Sequence, residues 1–212
     1  LYNSLKANLS QNNTLIFPSF TYSYRKNQIF DIVKTPCDNQ IGILSEIARK
    51  DKTSYRNDDP LFSFVAIGND KEIINRTNKT CFGENSIYKK IFDKNLHILS
   101  LGVEFTHGIS EFLHIEKLAK VTYRYNRIFK GISVSKKRHK YNDYANHFVK
   151  CDKFFKYYKY DRQILGEELI KKKICKKINY GYGNILLFDG SDFLDYALKR
   201  LKRNNYIMVK KK

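Results

Sequence analysis

Along the chain, apolar runs of strand length alternate with segments whose apolar residues recur every three or four positions. That alternation is the pattern of an α/β domain. "NTLIFPSFTYSY", residues 13–24, predicts a buried strand whose second part Pro18 demotes to an edge or a bend. "QIGILSEIARK" places Ile41, Leu44, Ile47 and Ala48 on one helical face. "DDPLFSFVAIG" predicts a turn into a strand, and "KEIINRT" a short helix. "SIYKKIFDK" gives a stripe of Ile87, Ile91 and Phe92 with Ser86 as the cap, and "LHILSLGV" predicts the next strand. From Lys130 to about Lys177 the chain turns dense in Lys and Tyr. Beyond it, "NILLF" precedes a helix capped by Ser191 or Asp192, with Phe193, Leu194, Ala197, Leu198 and Leu201 as its apolar face. No repeat at a solenoid period and no Pro/Gly/Ser linker interrupts this order, so one domain over residues 1–212 is expected.

The 212 residues, 42% of them hydrophobic, suffice for a sizeable core. No apolar run approaches the roughly 18–20 residues of a membrane span, and no basic segment followed by an apolar one opens the chain. Four scattered cysteines without a Cys-x-x-Cys pair fit a reducing compartment, and support neither a disulfide framework nor a cysteine zinc site. A cytoplasmic protein without a membrane partner is therefore expected. Position 1 is Leu, as in a sequence that starts inside a longer gene product. Of the net charge of +19, residues 130–212 carry +14, with 22 Lys+Arg against 8 Asp+Glu. Such a field attracts polyanions without naming one.

Chemistry concentrates in "ILSLGVEFTHGISEFLHIEKLAKVTYRYNRIF". His107, Glu111 and His114 fall at i, i+4 and i+7, so on a helix all three share a side. Metal ligation is one reading, although the order is not that of a metalloprotease helix. A helix with an ordinary polar stripe and an apolar one of Phe112, Leu113 and Leu118 is a second. The third is a catalytic histidine at the C-terminal end of a strand, its ring oriented by a carboxylate. Elsewhere, Cys81 before "FG" is conceivable as a nucleophile but carries no mark of activation. "GYG" at 181–183 precedes a strand, which is the wrong context for a dinucleotide loop. "KCDKFFKYYKYDRQ" interleaves aromatic rings with cations as single-stranded nucleic-acid binders do, or else packs its rings beneath a lysine surface.

Taken together, "NNTLIFPSFTYSY", "TPCDNQIGILSEIARK", "YRNDDPLFSFVAIG", "CFGENSIYKKI", "ILSLGVEFTHGISEFLHIEKLAKVTYRYNRIFKG" and "GYGNILLFDGSDFLDYALK" resemble, in order, the aminoglycoside 3-N-acetyltransferase family. The resemblance covers nearly the whole chain and is clearest from Asn13 to Gly131. It implies an α/β fold with a central mixed sheet flanked by helices, and acetyl-coenzyme A as cosubstrate without a metal. It places the family's Thr-His and Glu on Thr106, His107 and Glu111 as the catalytic group, and its Phe-Asp pair on Phe30 and Asp31 near the substrate. The family's Arg and Pro fall on Arg56 and Pro60, with Asp59 where the family has histidine. Ser63, Phe82, Gly83 and Ser86 correspond to the wall near the cofactor. The family's opening strand-helix segment, with its coenzyme loop, has no counterpart before Leu15.

An amine acceptor must lose a proton before it attacks the thioester, which suits a histidine base. His107 is expected to take that proton, with Glu111 orienting the ring and Asp31, Glu46 and Asp59 meeting the substrate's amines or hydroxyls. A field of +19 repels polycations and draws anions, which favours an amino sugar on a nucleotide or glycan carrier over an aminoglycoside antibiotic. Nucleic acid is not the expected partner. The rival reading is a non-catalytic polyanion or nucleic-acid binder on a degenerate acyltransferase scaffold.

Overall fold

A computed structural model describes residues 1–76, 78–106 and 108–212. In chain order the elements are α1 (Tyr2–Ala7), β1 (Thr14–Pro18), β2 (Phe30–Asp31), α2 (Ile43–Lys50), β3 (Tyr55–Arg56) and β4 (Phe64–Gly68). Next come α3 (Ile87–Asp93), β5 (Ile98–Leu101), α4 (Glu111–Leu118) and the two long strands β6 (Arg124–Val134) and β7 (Lys140–Lys150). The chain closes with α5 (Asp152–Phe155), β8 (Tyr158–Tyr160), α6 (Gln163–Lys171), β9 (Cys175–Tyr180), β10 (Gly183–Phe188), α7 (Gly190–Arg203) and β11 (Val209–Lys211). It divides into two compact units, residues 1–81 with 127–147, and residues 82–126 with 148–212.

In the first unit, β1 and β3 flank β4 in an antiparallel sheet, in which Phe17 faces Val65 and Arg56 also pairs with Val65. Pro18 ends β1 on the sheet edge, where its missing N–H costs nothing, and a 3-10 turn at Tyr22–Lys26 replaces the rest of the predicted strand. The predicted helix at 40–50 begins only at Ile43, after a 3-10 turn and Gly42 at φ +93°. Its Ala48 packs with Tyr2, Val65 and Ile67, which puts α1 and α2 on one core with β4. Gly68 ends β4 at φ +126°, and a Cβ there would lie 2.2 Å from the Asn13 carbonyl oxygen, so the close return of the chain onto β1 requires glycine. "KEII" forms a single 3-10 turn rather than an α-helix. A further sheet runs β2-β6-β7, with β2 parallel to β6.

In the second unit β10 lies between β5 and β9, antiparallel to both, and β8 pairs with β11. The Ser86 hydroxyl caps α3 through the Lys89 N–H, as its position predicts. Helix α7 starts at Gly190, before the predicted cap, and a Cβ there would lie 2.4 Å from the Leu96 carbonyl oxygen, so glycine alone fits. Phe193, Ala197 and Leu201 are fully buried, as the helical stripe requires, and Phe193 stacks on Phe188 of β10. β9 is an edge strand, exposed at every position from Lys176 to Tyr180. Among the described residues no helix is long and apolar enough to cross a membrane.

Candidate active site

Asp31, Glu46, Asp59 and Ser63 lie in the first unit, where each is already bonded to its own chain. Asp31 ends β2 and opens a turn. Its Oδ1 accepts the Val33 and Lys34 N–H groups at 3.0 Å, and its Oδ2 accepts from Arg138 Nη1 at 2.7 Å. Burial pushes its pKa up, but the Lys34 N–H and the Arg138 guanidinium outweigh burial and hold the carboxyl below its ordinary value. Glu46 is gripped by Arg49, with Oε2 2.8 Å from Nε and Oε1 2.6 Å from Nη2. Oε2 also accepts the Cys37 N–H, and the Arg49 hydrogen bonds hold the carboxyl down at about 2. Asp59 is buried, its Oδ1 accepting the Leu61 and Phe62 N–H groups at 2.8 Å and its Oδ2 3.9 Å from Arg76 Nε.

Ser63 belongs to a buried network centred on Arg56. The Arg56 Nε donates to the hydroxyls of Ser19 and Ser63 at 3.2 Å, Nη1 to the Thr35 carbonyl at 2.6 Å and Nη2 to the Ser19 carbonyl at 2.8 Å. The guanidinium also lies over the Phe30 ring at 5.1 Å. Burial pushes its pKa down to about 10. Thr35 Oγ1 in turn accepts the Asp31 N–H. Arg56 and Arg49, which also donates to the Val33 carbonyl, thus clamp the Asp31 turn from two sides. One network therefore unites Asp31, Glu46 and Ser63, and Asp59 stands apart from it with Arg76.

Phe82, Gly83, Ser86 and Glu111 lie in the second unit. Gly83 turns at φ +100°, and its N–H donates to Nδ1 of His114 at 3.2 Å. Ser86 Oγ donates to the Gly83 carbonyl at 2.7 Å and sits 3.4 Å from the same Nδ1. Phe82 packs on Tyr88 at 4.9 Å. The His114 ring is fully buried and stacks on Phe92 at 5.3 Å. Burial drives its pKa down to about 3, so it is neutral at any working pH. Because Nδ1 accepts from Gly83, the proton resides on Nε2, which has no partner among the described residues.

Glu111 is the first residue of α4 and half-buried. Burial lifts its carboxyl above its ordinary value, against the Ser110 hydroxyl and the positive charge of Arg162. A carboxyl poised this way can exchange protons nearer neutrality than a solvated one. His107 lies outside the described residues.

An apolar stripe of Phe112, Leu113 and Leu118 is one of the readings the sequence offers for this helix, and the structure buries a different set. Leu113 and Leu118 are only half-buried, whereas His114 and Glu116 are fully buried beside Phe112 and Ile115. Glu116 goes inside because Arg124 Nε lies 2.7 Å and Arg162 Nη2 3.8 Å from its Oε2, and the Tyr123 hydroxyl donates to Oε1 at 3.1 Å. His114 goes inside to meet Gly83. Its only signal in the sequence is its place among the buried residues of α4, since its partners lie 28 and 31 residues away.

The other sequence candidates resolve more simply. Cys81 is buried, which pushes its thiol well above the ordinary value and leaves no nucleophile at neutral pH. All four cysteines are free thiols, and no cluster of His, Cys, Asp and Glu among the described residues could hold a metal ion. Four rings of "KCDKFFKYYKYDRQ" are turned on one another, with Phe154 4.3 Å from Tyr158 and Phe155 4.6 Å from Tyr160, while Tyr157 stays exposed. "GYG" lies at the turn between β9 and β10.

A protein-family model described as aminoglycoside 3-N-acetyltransferase matches residues 1–202. No curated protein sequence matches the chain. Among solved structures, a substituted form of aminoglycoside acetyltransferase AAC(3)-IVa in complex with a gentamicin superposes with a TM-score of 0.78 at 22% identity, over 97% of this chain and 75% of the other. AAC-IIIb with bound CoASH gives 0.76 at 15% identity, covering 94% and 81%. The YokD protein of Bacillus subtilis gives 0.74 at 19%, covering 96% and 79%.

Proposed function

The chain belongs to the aminoglycoside 3-N-acetyltransferase family, and from that premise we propose that it transfers the acetyl group of acetyl-coenzyme A directly to an amino group of an amino sugar. His107 takes the proton from the attacking nitrogen and Glu111 orients the imidazole. The Phe82–Ser86 turn forms the wall beside the acyl group. The family match over residues 1–202 carries this assignment, with Glu111 standing four residues beyond His107 at the start of α4. Backbone N–H groups near the thioester would stabilise the oxyanion.

An acceptor on an anionic carrier, such as a nucleotide-linked or glycan-precursor amino sugar, fits the charge of +19. It also fits the state of Asp31, Glu46 and Asp59. All three are bonded within the chain, and little free carboxylate remains for a polycation. Glu46 and Asp31 are both partly accessible, and Asp31, whose Arg138 partner is itself half-exposed, is the carboxylate an acceptor would meet. An aminoglycoside acceptor is the second reading, favoured by the gentamicin complex of a similar structure.

Thiol release from acetyl-coenzyme A, followed with a panel of nucleotide-linked amino sugars, unlinked amino sugars and gentamicin, tests both readings. The expected result is turnover with a sugar on an anionic carrier, falling at least about 100-fold in His107→Ala. Turnover with gentamicin alone selects the second reading. Unchanged turnover in His107→Ala removes the base assignment.

A further inference from the structure

Between α6 and α7 in the second unit lies a groove of about 470 Å³ that contains none of the candidate site residues. From α6 it is lined by Glu168, Lys171 and Lys172, and from α7 by Tyr196, Lys199, Arg200 and Arg203. The spacing explains the convergence, since 168, 171 and 172 share one face of α6, and 196, 199, 200 and 203 share one face of α7. Glu168 is the groove's only acidic group, and it is spent. Arg200 holds it at two points, 2.7 and 2.6 Å, and the Tyr196 hydroxyl donates to it at 3.1 Å.

Lys171, Lys172, Lys199 and Arg203 are left without a carboxylate at ion-pair distance among the described residues. The helix dipole favours a cation in the last turn of each helix, but it does not explain four unneutralised cations from two helices facing one cavity, where they repel. An anion of matching charge relieves that repulsion. The four cations stand exposed around a half-open groove, whose volume admits a small molecule or a short stretch of a polymer. Lysine ammonium groups bind phosphate as point charges, and Arg203 adds a planar fork.

We infer that the α6–α7 groove is a binding site for a compact chain of linked phosphates, either an inorganic oligophosphate or the phosphate chain of a nucleotide. The inference does not rest on the acetyl-transfer reading, since no residue is shared and binding is read without activity.

Isothermal titration of the full chain with inorganic tripolyphosphate, orthophosphate, ATP and a single-stranded oligothymidylate tests it. Tripolyphosphate is expected to bind, to raise the melting temperature, and to bind more tightly than orthophosphate. ATP binding more tightly than tripolyphosphate identifies a nucleotide as the ligand, and equal binding identifies the phosphate chain itself. Lys199→Ala/Arg203→Ala and Lys171→Ala/Lys172→Ala, on the two walls of the groove, should each weaken tripolyphosphate binding at least tenfold. Lys153→Ala/Lys159→Ala, which removes the same charge elsewhere, should leave it within twofold. Equal weakening by the control pair, equal affinity for orthophosphate, binding of the oligothymidylate alone, or no binding to the folded protein each overturns the proposal.

Discussion

Two buried guanidinium arrangements, Arg56 in the first unit and the Arg124–Arg162 pair in the second, meet the same problem differently. Arg76 in the first unit combines both, facing Asp59 and Asp143 and donating to three backbone carbonyls. In the first unit Arg56 is bonded only to neutral oxygens, those of Ser19, Ser63 and Thr35, with no carboxylate at ion-pair distance among the described residues. In the second unit Arg124 and Arg162 share one buried carboxylate, Glu116. A cation held by carbonyls and hydroxyls keeps part of its hydration in protein form, and the Ser19 and Ser63 hydroxyls retain acceptors of their own when it is removed. An ion pair offers no such retreat, because removal of either partner strands a charge in a poorly solvating interior. The first arrangement ties segments together, whereas the second makes α4 depend on residues far along the chain.

The largest effect should come from Glu116→Gln, which leaves two arginines facing a neutral group and is expected to cost about 3–5 kcal/mol in urea unfolding. Glu116→Gln combined with Arg162→Met should recover part of that loss. A double variant as unstable as the sum of its parts would refute the shared pairing.

His114 tests the other principle within the second unit, since it is held by a neutral N–H donor. Its folded pKa of about 3 lies below the ordinary 6.5, so the native state binds fewer protons than the unfolded one. The stability it contributes is complete above about pH 6.5 and is lost as pH falls toward 3, by about 4–5 kcal/mol. His114→Asn, which keeps an acceptor for the Gly83 N–H, should flatten that part of the pH–stability curve. An unchanged curve would remove the assignment.

Arg56→Lys should cost less, about 2 kcal/mol, because an ammonium cannot reach all four acceptors but Ser19 and Ser63 still bond to each other at 3.0 Å. A loss as large as that of Glu116→Gln would erase the contrast between the two arrangements. The smallest effect is expected for Glu46→Gln, about 1 kcal/mol, since the Arg49 pair is only partly shielded from water. The sign is fixed by a carboxyl held at about 2. Its contribution is present above pH 4.5 and disappears as pH falls toward 2.

The elements legible in the sequence are those whose burial follows a simple period. β4 is a continuous buried run, α3 has its cap and stripe, and α7 has a one-sided apolar face. β6 and β7 are illegible for different reasons: β7 alternates in burial from Lys140 to His147, but its inward positions, Tyr141, Asp143, Ala145 and His147, are not an apolar stripe. β6 is exposed or half-buried from Arg124 to Ile132, so its Lys- and Arg-rich sequence carries no period of two. For the site, the loop at Phe82–Ser86 and the helix opening at Glu111 stand out as motifs. The inward turn of His114 and Glu116 does not, because what draws each inside is a partner supplied by a distant segment. A local pattern reports the preference of a residue for water and is silent about a partner that offsets it.

The exposed edge strand β9 has a consequence for handling the protein. Lys176 and Lys177 stand beside Ile178 and Tyr180, which are 53% and 78% exposed, and their charge discourages another strand from pairing there. Deprotonated lysines react slowly with thioesters, and acetylation would cancel that charge. Storage of the protein with acetyl-coenzyme A at alkaline pH should therefore bring on self-association, beginning at the β9 edge.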